Sequence, residues 1–259
     1  MVKKTFLPVI TIILMITPLF SAQPFYKQGF STQQIRLGFE AAFFERTITW
    51  GEDQSETSSM KNLMFLLKPG YELMEGTWIS AVLGYSLSNF DEMIFRKLPF
   101  SLELNTGNID GIVLGGEAEV RIRNFSRLTL SATGQFIYYL GFKEDWEIPG
   151  LNVEGTATGN PSWAQLTAGP KFSFHVNDYL RPYLTVHYDI LWGKFKMNQK
   201  IEELSGEQEM KIESKSNLNL SIGALYEIID RVDLKAETTF LPLEEQIGLK
   251  LVIGVRVSF

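Results

Sequence analysis

Residues 247–259 read IGLKLVIGVRVSF, an apolar side chain at every second position and an aromatic one at the end. Ile247, Leu249, Leu251, Ile253, Val255, Val257 and Phe259 share one phase. Gln246, Gly248, Lys250, Gly254, Arg256 and Ser258 share the other, with Val252 as the one apolar intruder. A period of two is the mark of a β-strand with one oily and one polar face. In a soluble sandwich the oily face would meet a second sheet; in a membrane wall it would meet lipid. The rest of the chain decides between them.

The same alternation returns nine more times, over residues 35–43, 63–68, 79–88, 112–123, 128–140, 164–175, 184–192, 217–228 and 232–240. The connections alternate in length. ELMEG, NFSR, VNDY and IDR are short and rich in turn-forming Asn, Asp and Gly. Residues 51–58, 89–108, 143–161 and 197–214 make the longer, polar connections, and the last, near Leu241 to Glu245, is short. An even number of antiparallel strands, tight turns at one end and longer loops at the other, predict a closed transmembrane up-and-down β-barrel. Ten strands is the expected count, with eight and twelve as the alternatives. Aromatic residues close to the ends of the apolar phase (Tyr71, Phe142, Phe174, Trp192 and Phe240) suit the two interfaces of a bilayer.

If the apolar phase faces lipid, the other phase faces the lumen. It carries a charge network of mixed sign: Glu40, Glu117, Glu119, Arg121, Arg123, Lys171, Asp189, Glu237, Lys250 and Arg256. Ion pairs among these would plug the lumen with side chains. Pro170 falls inside the sixth run, where it cannot donate to a ladder, and a bulge is expected there.

The first 22 residues carry two lysines, an apolar run from Phe6 to Phe20 and then Ser21 and Ala22. That order is expected of a secretory signal peptide over residues 1–22, followed by a short periplasmic segment over 23–33 and the barrel over 34–259. The run is shorter than the roughly 20 residues of a spanning helix and is interrupted by Pro8 and Pro18. Without cysteine the chain has no disulfide, thiol nucleophile or lipoprotein anchor. With 24 basic and 30 acidic residues and no basic run, it is unsuited to nucleic acid.

The signal sequence, the strand grammar and the last strand together resemble bacterial outer-membrane β-barrel proteins, a class rather than a narrow family. The resemblance implies that Val257 and Phe259 form the C-terminal signal read by the barrel-assembly machinery. It implies also a place in the outer membrane of a Gram-negative-type bacterium, with both termini periplasmic and outer-membrane lipid as a partner.

Among ten-stranded barrels the omptin proteases carry chemistry, with paired aspartates and an Asp-x-His pair at the mouth. TVHYDIL sets His187 and Asp189 two apart, so both point inward, and a carboxylate that fixes an imidazole makes a general base. The order is the reverse of the omptin one, however, and His187 lies about seven residues from the VNDY turn, near mid-membrane rather than at the mouth. With two histidines and no clustered ligands, no metal site and no cofactor are expected. The long loops are the remaining places for binding. Residues 89–108 are expected to extend the fourth strand, and 194–214 to form a charged hairpin turning at Ser205–Gly206. The expected role is therefore a non-enzymatic one, in surface interaction, envelope structure or limited porin-like passage of small solutes. An omptin-like protease is the alternative.

Overall fold

The computed structural model describes residues 35–51, 56–96, 102–147, 155–214, 218–242 and 247–259. The expected signal peptide and the 23–33 segment lie outside the described residues. In chain order the strands are β1 (Ile35–Gly51), β2 (Glu56–Met74), β3 (Thr77–Phe90), β4 (Met93–Phe95), β5 (Leu102–Leu104), β6 (Ile109–Phe125), β7 (Leu128–Gly141), β8 (Glu144–Glu147), β9 (Gly155–Phe174), β10 (Leu180–Ile201), β11 (Leu204–Ser214), β12 (Leu218–Ile229), β13 (Val232–Pro242) and β14 (Ile247–Ser258).

Ten of them close a ring in the order β1, β2, β3, β6, β7, β9, β10, β12, β13, β14, with every neighbour antiparallel. The terminal seam pairs β14 with β1 from Arg36↔Ser258 to Glu45↔Leu249. The Phe259 amide adds one more bond, donating to the Ile35 carbonyl at 2.8 Å. The ten alternating runs of the sequence are these ten wall strands. Their outward phase is an apolar belt that includes Phe39, Phe65, Leu83, Leu114, Phe136, Ile222 and Ile253, all exposed. A closed antiparallel sheet with its apolar side outward is the architecture of a transmembrane β-barrel.

At the long-loop end the wall changes its strand count. β9 and β10 run for 20 and 22 residues, whereas β12, β13 and β14 have only 12, 11 and 12. Above them β11 takes over. It pairs with β10 from Trp192↔Glu213 outward and with β1 from Ile48↔Ser214 to Gly51↔Lys211. A second circuit of paired strands thus runs β1, β2, β3, β6, β7, β9, β10, β11, eight strands in place of ten. Fewer strands mean a narrower ring, and eight is the number whose interior side chains just fill.

Polarity inverts at the same height. Along β1 the outward residues Phe39 and Phe43 give way to Glu45, Thr47 and Thr49, while the inward ones pass from Arg36 and Glu40 to Phe44, Ile48 and Trp50. Along β10 the outward Leu184 and Trp192 are followed by Lys194, Lys196 and Lys200, and the inward Thr185 and His187 by Leu191, Phe195 and Met197. The strands leave an apolar surrounding and enter a polar one, and there they need a core of their own.

Three local expectations change. The loop 89–108 does not extend the fourth wall strand; β4 and β5 pair with each other as a separate hairpin, Met93↔Leu104 to Phe95↔Leu102. The expected charged hairpin forms from β10 and β11, but it turns at Glu202–Glu203, with Glu202 at φ 49°. At Pro170 there is no bulge. The β9–β10 register is the same on both sides, and the ladder simply lapses between Thr185↔Lys171 and Tyr188↔Ala168. Gly169 explains how this is tolerated: a Cβ there would lie 1.8 Å from the Val186 carbonyl oxygen, so only glycine lets β10 pass so close. The Gly169 carbonyl accepts instead from the Thr133 hydroxyl at 3.2 Å.

Candidate functional site

The lumen has two storeys. The one nearer the short turns is a lattice of ion pairs. Lys68 Nζ sits 2.7 Å from both Glu40 and Glu117, and Lys235 bridges Glu40 at 3.0 Å and Glu237 at 3.6 Å. Lys171 reaches Glu119 at 3.1 Å, and Asp233 receives both Arg256 and Arg181 at 2.6 Å. Neutral donors complete it: Gln135 to Glu117 at 3.0 Å and the Tyr183 hydroxyl to Glu237 at 2.7 Å. These residues stand on β1, β2, β6, β7, β9, β10, β13 and β14, so the lattice ties most of the wall together across the lumen. Buried charges are tolerated because each carboxylate meets more than one donor or lies beside a cation.

The storey nearer the long loops is apolar. Trp163 stacks on Tyr139 with centroids 5.3 Å apart and meets Phe44 edge-on at 5.9 Å. Phe195 contacts Phe90 at 5.5 Å and Phe95 at 5.6 Å, and Phe95 reaches Trp50 at 6.1 Å. Met60, Met64, Met93, Ile109, Met197 and Ile212 fill the spaces between them in the same cluster. Phe95 and Met93 come from the β4–β5 hairpin and have no exposed surface, so that hairpin is part of the plug. It is fastened where the Phe90 amide donates to Thr106 Oγ1 at 2.9 Å and Trp146 Nε1 donates to the Thr106 carbonyl at 3.2 Å.

Between the storeys lies one ion pair, Arg46 Nη1 to Asp189 Oδ1 at 3.0 Å, with both side chains 1% exposed. Gln165 Nε2 also donates to Asp189. Arg46 follows the last β1–β14 pair and precedes the first β1–β11 pair; Asp189 stands likewise between the last β10–β12 pair and the first β10–β11 pair. The pair therefore joins β1 to β10 at the step from ten strands to eight.

Of the expected charged residues, Glu40, Glu117, Glu119, Lys171, Asp189, Glu237, Lys250 and Arg256 line one cavity of about 140 Å³ below the plug. Arg121 and Arg123 do not join them. The register shifts between these two, and they end exposed near the Ser126–Arg127 turn. There Arg121 pairs with Glu75 at 3.7 Å, and Arg123 lies over the Phe125 ring at 5.0 Å. His187 and Asp189 share the lumen but form no dyad: His187 Nδ1 lies 3.3 Å from Ser221 Oγ, while the Asp189 carboxylate is occupied by Arg46 and Gln165. Val257 sits in the seam opposite Leu37, and Phe259 is exposed at its end.

Reading the sequence missed Arg36, Arg46, Lys68, Asp233 and Lys235, all of which face inward with the expected set, and it missed the whole aromatic storey. The inward positions Ile48, Trp50, Leu191, Phe195 and Met197 carried a signal, because they stay in the lumenal phase yet turn apolar just where the outward phase turns polar.

No protein-family model matches the chain, and no curated protein matches it. Among solved structures, the translocator domain of the autotransporter NalP from Neisseria meningitidis is similar at 13% identity and a TM-score of 0.49, over 96% of each chain. The outer-membrane protease OmpT from Escherichia coli is similar at 10% identity and 0.46, over 88% of this chain and 96% of its own. The transport unit of the autotransporter AIDA-I from Escherichia coli is similar at 11% and 0.44, over 95% and 97%. Likenesses of this degree carry no information about function.

Proposed function

We propose that the chain is a non-conducting bacterial outer-membrane barrel that acts through the folded cap at its long-loop end rather than through catalysis or solute passage. The observation that carries this reading is the aromatic storey, which fills the narrowed lumen and is sealed from above by the β4–β5 hairpin. The apolar belt supports a hydrocarbon surrounding, and the polarity change along β1 and β10 supports a cap that stands in water. On that cap Lys194 and Lys196 both pair with Glu209, at 3.4 and 3.2 Å, so the β10–β11 hairpin keeps a defined shape for a partner to meet. The protease alternative lacks the carboxylate that would fix its base, since Asp189 is spent on Arg46 and Gln165 while His187 meets Ser221. In planar bilayers the purified barrel is expected to show no steady conductance; stable porin-sized openings would reject the reading.

We also propose that Phe259 serves the barrel-assembly machinery. Phe259 stands exposed at the end of the seam and adds one backbone hydrogen bond to it, so its loss removes at most the about 1.5–3 kcal/mol of one aromatic from a wall of ten strands. Deleting Phe259 is expected to impair insertion in cells while leaving detergent-refolded barrel close to wild-type in urea unfolding. Normal surface assembly of the deletion would sink the idea.

A further inference from the structure

The geometry points to a binding site for one small oxyanion, of the phosphate, sulfate or carboxylate class, in the lumenal cavity beneath the aromatic plug. Three observations meet there. First, the cavity is lined by seven cationic side chains and only five carboxylates. Asp233, just outside the lining, is shared by Arg256 and Arg181, so it does not remove the excess.

Second, the excess has an address. Among the described residues, Lys250 has no carboxylate within 4.0 Å and donates no side-chain hydrogen bond, although it lines the cavity. Its nearer acidic neighbours are already engaged, Glu237 by Tyr183 and Lys235, Asp189 by Arg46 and Gln165. Third, Arg46 is 2% exposed, lines the same cavity, and leaves Nε and Nη2 without a hydrogen-bond partner.

Lys250 and Arg46 stand close together. Lys250 is the cross-strand partner of Phe44, and Arg46 is two residues further along the same face of β1. The Lys250 ammonium and the guanidinium that carries two unused donors are thus neighbours in one lining, to which Phe44 also belongs. Uncompensated buried cations are costly, and a guanidinium fork matches oxygen acceptors on an anion better than it matches a halide. An oxyanion at this point would pair with Lys250, draw on the Arg46 guanidinium behind it and offset the excess charge.

The test is calorimetric titration of the purified barrel, in a neutral detergent at low ionic strength, with sodium phosphate, sulfate, acetate and chloride in turn. Saturable 1:1 binding of at least one oxyanion, and none of chloride, is expected. Lys250→Met should weaken it at least tenfold, and Lys250→Arg should keep it. Should the methionine variant not fold, as judged by heat-modifiable migration on gels, wild-type unfolding decides: the oxyanion that binds should raise the urea midpoint above that in chloride of equal ionic strength. Absence of saturable binding by all three oxyanions, equal binding of chloride, unchanged affinity in a folded Lys250→Met barrel, or equal midpoints in the two salts would each overturn the proposal.

Discussion

Replacing Arg46 by methionine is expected to lower barrel stability by about 3–5 kcal/mol, the range for a buried ion pair that loses one partner. Asp189 has no exposed surface, and without Arg46 its charge would be left with the single amide of Gln165. Trp163 and Phe44 pack above as part of the plug, so no water reaches the carboxylate from the long-loop side. The double change Arg46→Met with Asp189→Leu should recover most of the loss, since an apolar pair of similar volume suits that height of the lumen. Urea unfolding of refolded barrel measures both. A single-variant loss below 1 kcal/mol, or a double variant no better than the single ones, would mean that the pair is not what joins β1 to β10.

Trp163→Ala should produce a loss of similar size, about 3–5 kcal/mol, by leaving a cavity that close-packed neighbours fill only partly. Trp163 is fully buried, stacked on Tyr139 and edge-on to Phe44. This substitution has a second readout. If the aromatic storey is what closes the lumen, bilayers holding the variant should show brief openings that the wild-type lacks. A destabilised but still silent variant would place the seal in the β4–β5 hairpin instead.

The wall was legible from sequence because lipid on one side and lumen on the other impose a strict period of two. Tyr71, Phe142, Phe174, Trp192 and Phe240 all point outward, where that period puts them. The cap was not legible in the same way. Once β1 passes Phe44, the rule that outward means apolar reverses, and Ile48 and Trp50 look like interruptions when they are the core of the next storey. Arg121 and Arg123 failed for a different reason. A bulge between them shifts the phase by one residue without any mark in composition, so the pattern carried across it gives Arg123 the wrong face. Arg121, still in the inward phase opposite Ser131, stands too near the short turn to be covered. Long-range partners such as Arg46 and Asp189, 143 residues apart, lie beyond any local pattern.

The double claim on β1 has a mechanical meaning. In a simple barrel the first and last strands meet along one seam, and parting it would unzip the wall from end to end. Here β1 is held below by β14 and above by β11, so parting the terminal seam would leave the pairs from Ile48↔Ser214 to Gly51↔Lys211 in place. The result would be a slot with a strap across its top rather than a full-length gap. Whatever left the lumen sideways would pass beneath that strap, at the height of the apolar belt, and would enter hydrocarbon rather than water.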